Sequence, residues 1–350
     1  MDEKTVSARN ISLDLLRIVA TAAVVMLHTA KRVWYNVPVS STDWYISNIY
    51  LSAVRWAVPV FVMISGALFL SRDVNIKKLY RNNILRMATA FIFWSFIYAL
   101  LWHLEGLGTK EAVKLFIQGN FHLWFLPMIM GLYMALPVLK KITENEKLTK
   151  YFLLLSFIFA FVVPQIISYV TFFSEEWGSV LSNLYGNFHI DIFLGYPFYF
   201  ILGYMISCGK ISVRRFSSVL MGICGLLITV LLTIVFTSYK DQAADIAFDY
   251  MSINVMLMAV CMFTLFAKNG SSVKFSQKGE KAVVAVSKAC FGVYLIHEAI
   301  LIVIKSQLKF DMAGTMPALS IPVVMIIAFA VSLGMSLIAG LIPGAKKYIV

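Results

Sequence analysis

The chain has 350 residues, of which 60% are hydrophobic and 14% charged, whereas a soluble domain holds roughly 45–50% apolar and about 25% charged residues. This excludes an ordinary soluble domain and a disordered chain. Continuous apolar runs of about twenty residues, in place of short alternating strands, exclude a transmembrane β-barrel. The net charge of +12 is no pointer to nucleic acid, because membrane proteins collect Lys and Arg on their cytoplasmic side.

In chain order, the apolar segments predict ten spans, over residues 11–33, 48–70, 84–105, 121–139, 151–173, 189–208, 218–237, 248–267, 283–304 and 319–342. The expected fold is all-α: a polytopic membrane bundle forming a single domain over 1–350, with both termini cytoplasmic. The first apolar run carries Asp14 and Arg17 and continues to His28, so it reads as a span and not as a cleavable signal. With the N-terminus inside, most cations fall at inner ends, among them Lys4, Arg9, Lys140, Lys141, Arg214, Arg215 and Lys274, while the loop at 174–188 has no Lys or Arg. Lys31, Arg32, Arg55, Lys110, Lys114, Lys240, Lys305 and Lys309 are the exceptions. The four cysteines (Cys208, Cys224, Cys261 and Cys290) lie in or beside apolar segments without CxxC spacing and read as small buried hydrophobes. No HExxH or HxH pattern occurs, so no metal site is expected.

Ionisable groups at membrane depth are costly and mark function by default. In the first span, Arg17 and His28 are eleven residues apart, which is three helical turns plus about 20°, so they share a face about 16 Å apart along the axis. Asp14 lies one turn below Arg17, within ion-pair reach. In the second span Arg55 sits inside an apolar run, Pro59 is placed to kink the helix, and Ser65-Gly66 is a small pair suited to close packing. The next loop holds Lys77, Lys78, Arg81 and Arg86, a density of cations that suits a phosphorylated ligand or an anionic lipid surface. The fourth span opens with His122 and Trp124. The ninth carries Tyr294 and His297 on one face, followed by Glu298, and His189 and Asp191 form a polar pair at the sixth. All five histidines, His103 included, fall toward the predicted outer side, so anion binding is expected inside and proton transfer farther out.

Taken together, Leu13-Asp14-Leu-Leu-Arg17 through His28, Val58-Pro-Val-Phe61 to Ser65-Gly66, the basic segment ending at Ile84-Leu-Arg86, His122-Leu-Trp124-Phe-Leu and Phe291-Gly-Val-Tyr294-Leu-Ile-His297 resemble the acyltransferase family 3 membrane proteins over essentially the whole chain. The family often carries Arg-x-x-Arg at the start of the third span; here the first position is Asn83 and only Arg86 matches, with Arg81 as a substitute. The resemblance implies a membrane O-acetyltransferase that moves an acetyl group from cytoplasmic acetyl-CoA to a hydroxyl of a cell-envelope sugar or glycan, in the bacterial cytoplasmic (inner) membrane. It maps the family's first-span His onto His28 and its first-span Arg onto Arg17.

On that reading His28 is the general base, and Asp14 and Arg17, in the same catalytic set, orient the donor or line the entrance for its pantetheine arm. Arg86, Arg81, Lys77 and Lys78 hold the CoA phosphates, and Arg55, His122, Trp124, Tyr294 and His297 face the acceptor and the oxyanion. Expected partners are acyl-CoA, the glycan acceptor and membrane lipids, with no nucleic acid and no metal, and association into homo-oligomers is compatible with the reading. Succinyl stays open as the acyl group. A transporter or flippase for a lipid-linked glycan or small metabolite is the alternative, though no internal repeat supports it. A non-catalytic membrane partner is the third option.

Overall fold

The computed structural model describes residues 10–73, 75–188, 195–269 and 275–349, and every regular element among them is helical. His189 and Asp191, with Lys4, Arg9 and Lys274, lie outside the described residues. In chain order the helices are α1 (Ile11–Trp34), α2 (Thr42–Ala53), α3 (Ala57–Leu70), α4 (Ile76–Leu79), α5 (Leu85–Leu104), α6 (Thr109–Gln118), α7 (Phe125–Glu144), α8 (Glu146–Ser156), α9 (Val163–Phe173), α10 (Glu175–Gly186), α11 (Tyr196–Ser207), α12 (Arg215–Lys240), α13 (Ile253–Asn269), α14 (Gln277–Ser306), α15 (Pro317–Ala339) and α16 (Pro343–Tyr348). Nine helical segments among the described residues, some of them broken into two helices, are long and apolar enough to cross a membrane. They correspond to nine of the ten predicted spans. Of the sixth, α11 covers 196–207; at twelve residues it is about 18 Å long.

Local chemistry sets the helix ends. Asn10 caps α1, its Oδ1 accepting from the backbone N–H of Ser12 at 3.1 Å and of Leu13 at 3.2 Å. Asp14 in the first turn and Lys31 and Arg32 in the last complement the helix dipole. The second span starts earlier than predicted, at Thr42, where Ser41 Oγ caps the helix through the Trp44 N–H at 3.1 Å. It is also two helices, not one. Pro59 has no N–H to donate, and its ring crowds the carbonyl four residues back, that of Arg55, so the chain breaks between α2 and α3 at that residue. In the third and fifth spans, π-helical turns at Tyr80–Ile84 and Phe157–Val162 interrupt the rods, the second just ahead of Pro164. The short helices α6 and α10, both largely exposed, were not predicted.

α1 is the central helix, packed against α14, α2, α15, α3 and α13. α3 and α11 touch backbone to backbone. A Cβ built on Gly66 would lie 1.7 Å from the Phe200 carbonyl oxygen, and one on Gly203 would lie 2.2 Å from that of Met63. Such small-residue contacts substitute for a hydrophobic driving force between helices in lipid. The close packing expected of Ser65-Gly66 is therefore Gly66 against the α11 backbone.

Candidate active site

The site is built on α1 and α14, which pack side by side running in the same direction and bring their polar residues together at two ends. At one end Ser287 Oγ donates to Asp14 Oδ1 at 2.6 Å, and Arg17 Nη1 reaches both Asp14 Oδ1 at 3.1 Å and Ser287 Oγ at 2.9 Å. Asp14 is buried, while a quarter of Arg17 stays exposed. About 16 Å farther along α1, the His28 ring lies 5.2 Å from that of His297, centroid to centroid. One turn beyond, Arg32 forms an ion pair with Glu298, whose side chain is 1% exposed.

A cavity of about 630 Å³ joins these two ends. Arg17, Arg86 and Lys288 line it at the Asp14 end; His28, His122 and Trp124 line it at the other. The Arg86 guanidinium stacks over the Phe291 ring at 4.8 Å, which places it beside the Ser287–Lys288 turn of α14. The walls between are mostly apolar, among them Val24, Phe61, Leu68, Met87, Ile129 and Phe291, with Ser65, Tyr133 and Ser336 among the polar interruptions.

The 3₁₀ turn at Phe121–Trp124 brings His122 up to His28. Their ring centroids are 6.2 Å apart, and His122 is 5.3 Å from His297, so three imidazoles form one cluster. The Tyr294 hydroxyl donates to the His122 carbonyl at 2.5 Å and pins the turn to α14. The Asn120 amide Nδ2 lies 3.2 Å from His122 Nδ1. An amide nitrogen only donates, so Nδ1 accepts and the neutral ring carries its proton on Nε2. On the opposite side Trp124 stacks on Tyr250 at 5.7 Å and meets Tyr196 at 5.7 Å, with 36% of its surface open.

The remaining predicted residues are placed as follows. Arg55 does not line the cavity. Its Nε donates to the Phe248 carbonyl at 2.9 Å, and its guanidinium lies over the Phe248 and Tyr250 rings, so it braces the segment that carries Tyr250. Lys77, Lys78 and Arg81 are exposed on α4 and the following π turn and do not line the cavity. His297 is fully buried behind His28. Among the described residues no group of three or more His, Cys, Asp or Glu side chains is placed to hold a metal ion.

Four contacts escaped the sequence reading. Ser287 bridges Asp14 and Arg17, Asn120 sets the His122 tautomer, and Arg32 pairs with Glu298. Tyr98 is the fourth: its hydroxyl donates to the Leu295 carbonyl at 2.7 Å and accepts from the Ala299 N–H at 3.1 Å. Those are the two groups that an uninterrupted helix joins to each other, so a side chain inserts into the α14 ladder at His297–Glu298. One signal was available for Ser287: it shares a helical stripe with Tyr294 and Glu298 at spacings of seven and eleven residues.

A polytopic helical bundle with a buried passage from cations to imidazoles defines a membrane protein with an internal site. The acyltransferase domain family model (acyltransferase 3) matches residues 10–337, and the chain belongs to that family. Membership makes it a membrane acyltransferase, with an acyl donor and an acceptor as its substrates. Neither a curated protein nor a solved structure matches the chain.

Proposed function

We propose that the protein transfers an acetyl group from acetyl-CoA, entering from the cytoplasm at the Arg17–Arg86 end, to a hydroxyl of a cell-envelope sugar or glycan arriving at the His28 end. On this reading both termini lie in the cytoplasm and the membrane is the bacterial inner membrane. The observation that carries the reading is the single cavity lined by Arg17, Arg86 and Lys288 at one end and His28 and His122 at the other. Its length along α1, about 16 Å, suits an extended pantetheine arm reaching the imidazoles while the CoA phosphates stay at the cations. Direct transfer therefore needs no relay through an acyl-histidine.

His28 Nε2 takes the proton of the acceptor hydroxyl as that oxygen attacks the thioester carbonyl. Positioned proton transfer of this kind contributes 10²–10⁴-fold. The tetrahedral intermediate collapses with cleavage of the C–S bond, and the CoA thiolate leaves with the proton held on His28. The oxyanion needs an uncommitted donor. Arg55, Tyr294 and His297 have polar hydrogens directed at the backbone carbonyls of Phe248, His122 and Val293. That leaves Trp124 Nε1–H for the oxyanion, joined by His122 Nε2–H once that ring turns from the Leu295 carbonyl, and the Trp124–Tyr250 stack as an apolar platform for the acceptor ring.

The test is acetyl transfer from labelled acetyl-CoA to envelope glycan by the purified protein, with His28→Ala and His28→Gln alongside. The reading predicts transfer by the wild type and a loss of at least 10²-fold in both variants at normal protein levels. Near-normal turnover in both removes His28 from the chemistry.

A further inference from the structure

A histidine base works from one ring nitrogen, and the hydrogen bond made by its other nitrogen sets the tautomer. His28 Nδ1 is buried and has no hydrogen-bond partner among the described residues. The ring 5.2 Å away, that of His297, is fully buried, and its Nδ1 lies 3.2 Å from the Val293 carbonyl. A carbonyl only accepts, so His297 Nδ1 carries the hydrogen and Nε2 carries the lone pair. That Nε2 is likewise buried without a partner. An orphan that must donate if His28 is the base thus sits beside an orphan that accepts.

We propose that His297 is the positioning residue of His28: His28 Nδ1–H donates to His297 Nε2, which leaves His28 Nε2 unprotonated and turned to the cavity. This rests on the reading of His28 as the general base. The spacing fits. Two imidazoles joined by one N–H···N bond of about 2.9 Å have ring centres about 5.2 Å apart, so a small rotation about the side-chain dihedrals completes the bond. His122, at 6.2 Å from His28, is too far for the same bond. It is near enough to His297, at 5.3 Å, but His297 Nε2 has a single lone pair, and the His122 Nε2–H has the oxyanion to serve. The scaffold is held on both sides: Tyr98 fixes the α14 backbone at Leu295 and Ala299, and the Arg32–Glu298 pair ties the next residue to α1 one turn above His28. When His28 takes the acceptor proton, the imidazolium keeps its Nδ1–H on His297. The proton later returns from Nε2 to the CoA thiolate, and no net proton passes through His297.

The experiment compares the full-length chain carrying His297→Leu, His297→Gln and, as reference, His28→Ala. Leu fills space and accepts nothing, whereas the Gln side-chain oxygen reaches the position of Nε2 and accepts. His297→Leu is expected to lower kcat on the order of 10²-fold, within the range a positioned base contributes, with the KM for acetyl-CoA unchanged. His297→Gln should recover to within about tenfold of wild type. A His297→Leu kcat within about twofold of wild type, or a His297→Gln variant as impaired as His297→Leu, overturns the proposal. Full activity in His28→Ala overturns the base reading itself, a different failure. Should either His297 variant fail to fold, ¹⁵N-histidine NMR of the wild type decides: an Nδ1–H tautomer at His28 supports the pair, and an Nε2–H tautomer overturns it.

Discussion

Arg32→Ala removes the one hydrogen-bonding partner that Glu298 has among the described residues. Glu298 is 1% exposed, its Oε1 pairs with Arg32, and its Oε2 has no hydrogen-bond partner among the described residues. Breaking a buried pair by deleting one member costs about 3–5 kcal/mol, because the remaining charge is left uncompensated. Arg32 keeps 18% of its side chain exposed, which admits some solvent and places the cost near the lower end. At about 1.4 °C per kcal/mol for a chain of this size, the melting temperature should fall by roughly 4–5 °C. Heating the detergent-solubilised protein and following the surviving monodisperse fraction by size exclusion measures this. The double variant Arg32→Met/Glu298→Gln removes both charges, keeps the volume, and should regain most of the loss. A shift of less than about 2 °C for Arg32→Ala, or a double variant no better than the single, would refute the argument that a buried, otherwise unpartnered carboxylate is held there by Arg32.

Three further outcomes follow from other parts of the molecule. Gly66→Ala puts a Cβ 1.7 Å from the Phe200 carbonyl oxygen, so α3 and α11 must separate, at the upper end of the roughly 1–3 kcal/mol typical of overpacking; an unchanged melting temperature would contradict that close approach. Arg86→Ala should raise the KM for acetyl-CoA about tenfold or more while kcat at saturating donor holds, the pattern of lost uniform binding; a lower kcat with an unchanged KM would place Arg86 in the chemical step instead. Tyr35, just beyond α1, has its phenol pushed up to about 12 by burial and then by the Asp245 carboxylate that accepts its hydrogen bond at 2.9 Å. A folded value above the ordinary 10 means that the stabilisation is complete below about pH 10 and is lost as pH rises through about 12. Wild type should therefore lose more stability than Tyr35→Phe across that window, and parallel melting curves would refute the assignment.

The membrane architecture was legible because length and apolarity alone make a span, and nine of the ten predicted spans correspond to helical segments of crossing length among the described residues. The shared face of Arg17 and His28 followed from helical periodicity, and one cavity does touch both. The helix break at Arg55 was half legible: Pro59 announced a kink, but a proline pattern does not say whether the helix bends or stops. Lys77, Lys78 and Arg81 stand outside the cavity while Lys288, not singled out in the sequence, lines it. Local charge density looks the same on a membrane surface and at a ligand mouth. Ser287, Asn120 and Tyr98 were missed because they are uncharged. The contacts of Ser287 and Tyr98 also join residues 273 and 197 positions apart, beyond any periodicity within one helix.

The central claim is that donor and acceptor chemistry meet inside the bundle at His28. A cryo-electron microscopy structure of the His28→Ala protein with acetyl-CoA tests it most directly. The account predicts CoA phosphates against Arg86, the pantetheine arm along the cavity between α1 and α14, and the acetyl carbonyl within hydrogen-bond reach of His122. Density for the donor on the exposed face of Lys77, Lys78 and Arg81, with the cavity empty, would contradict it.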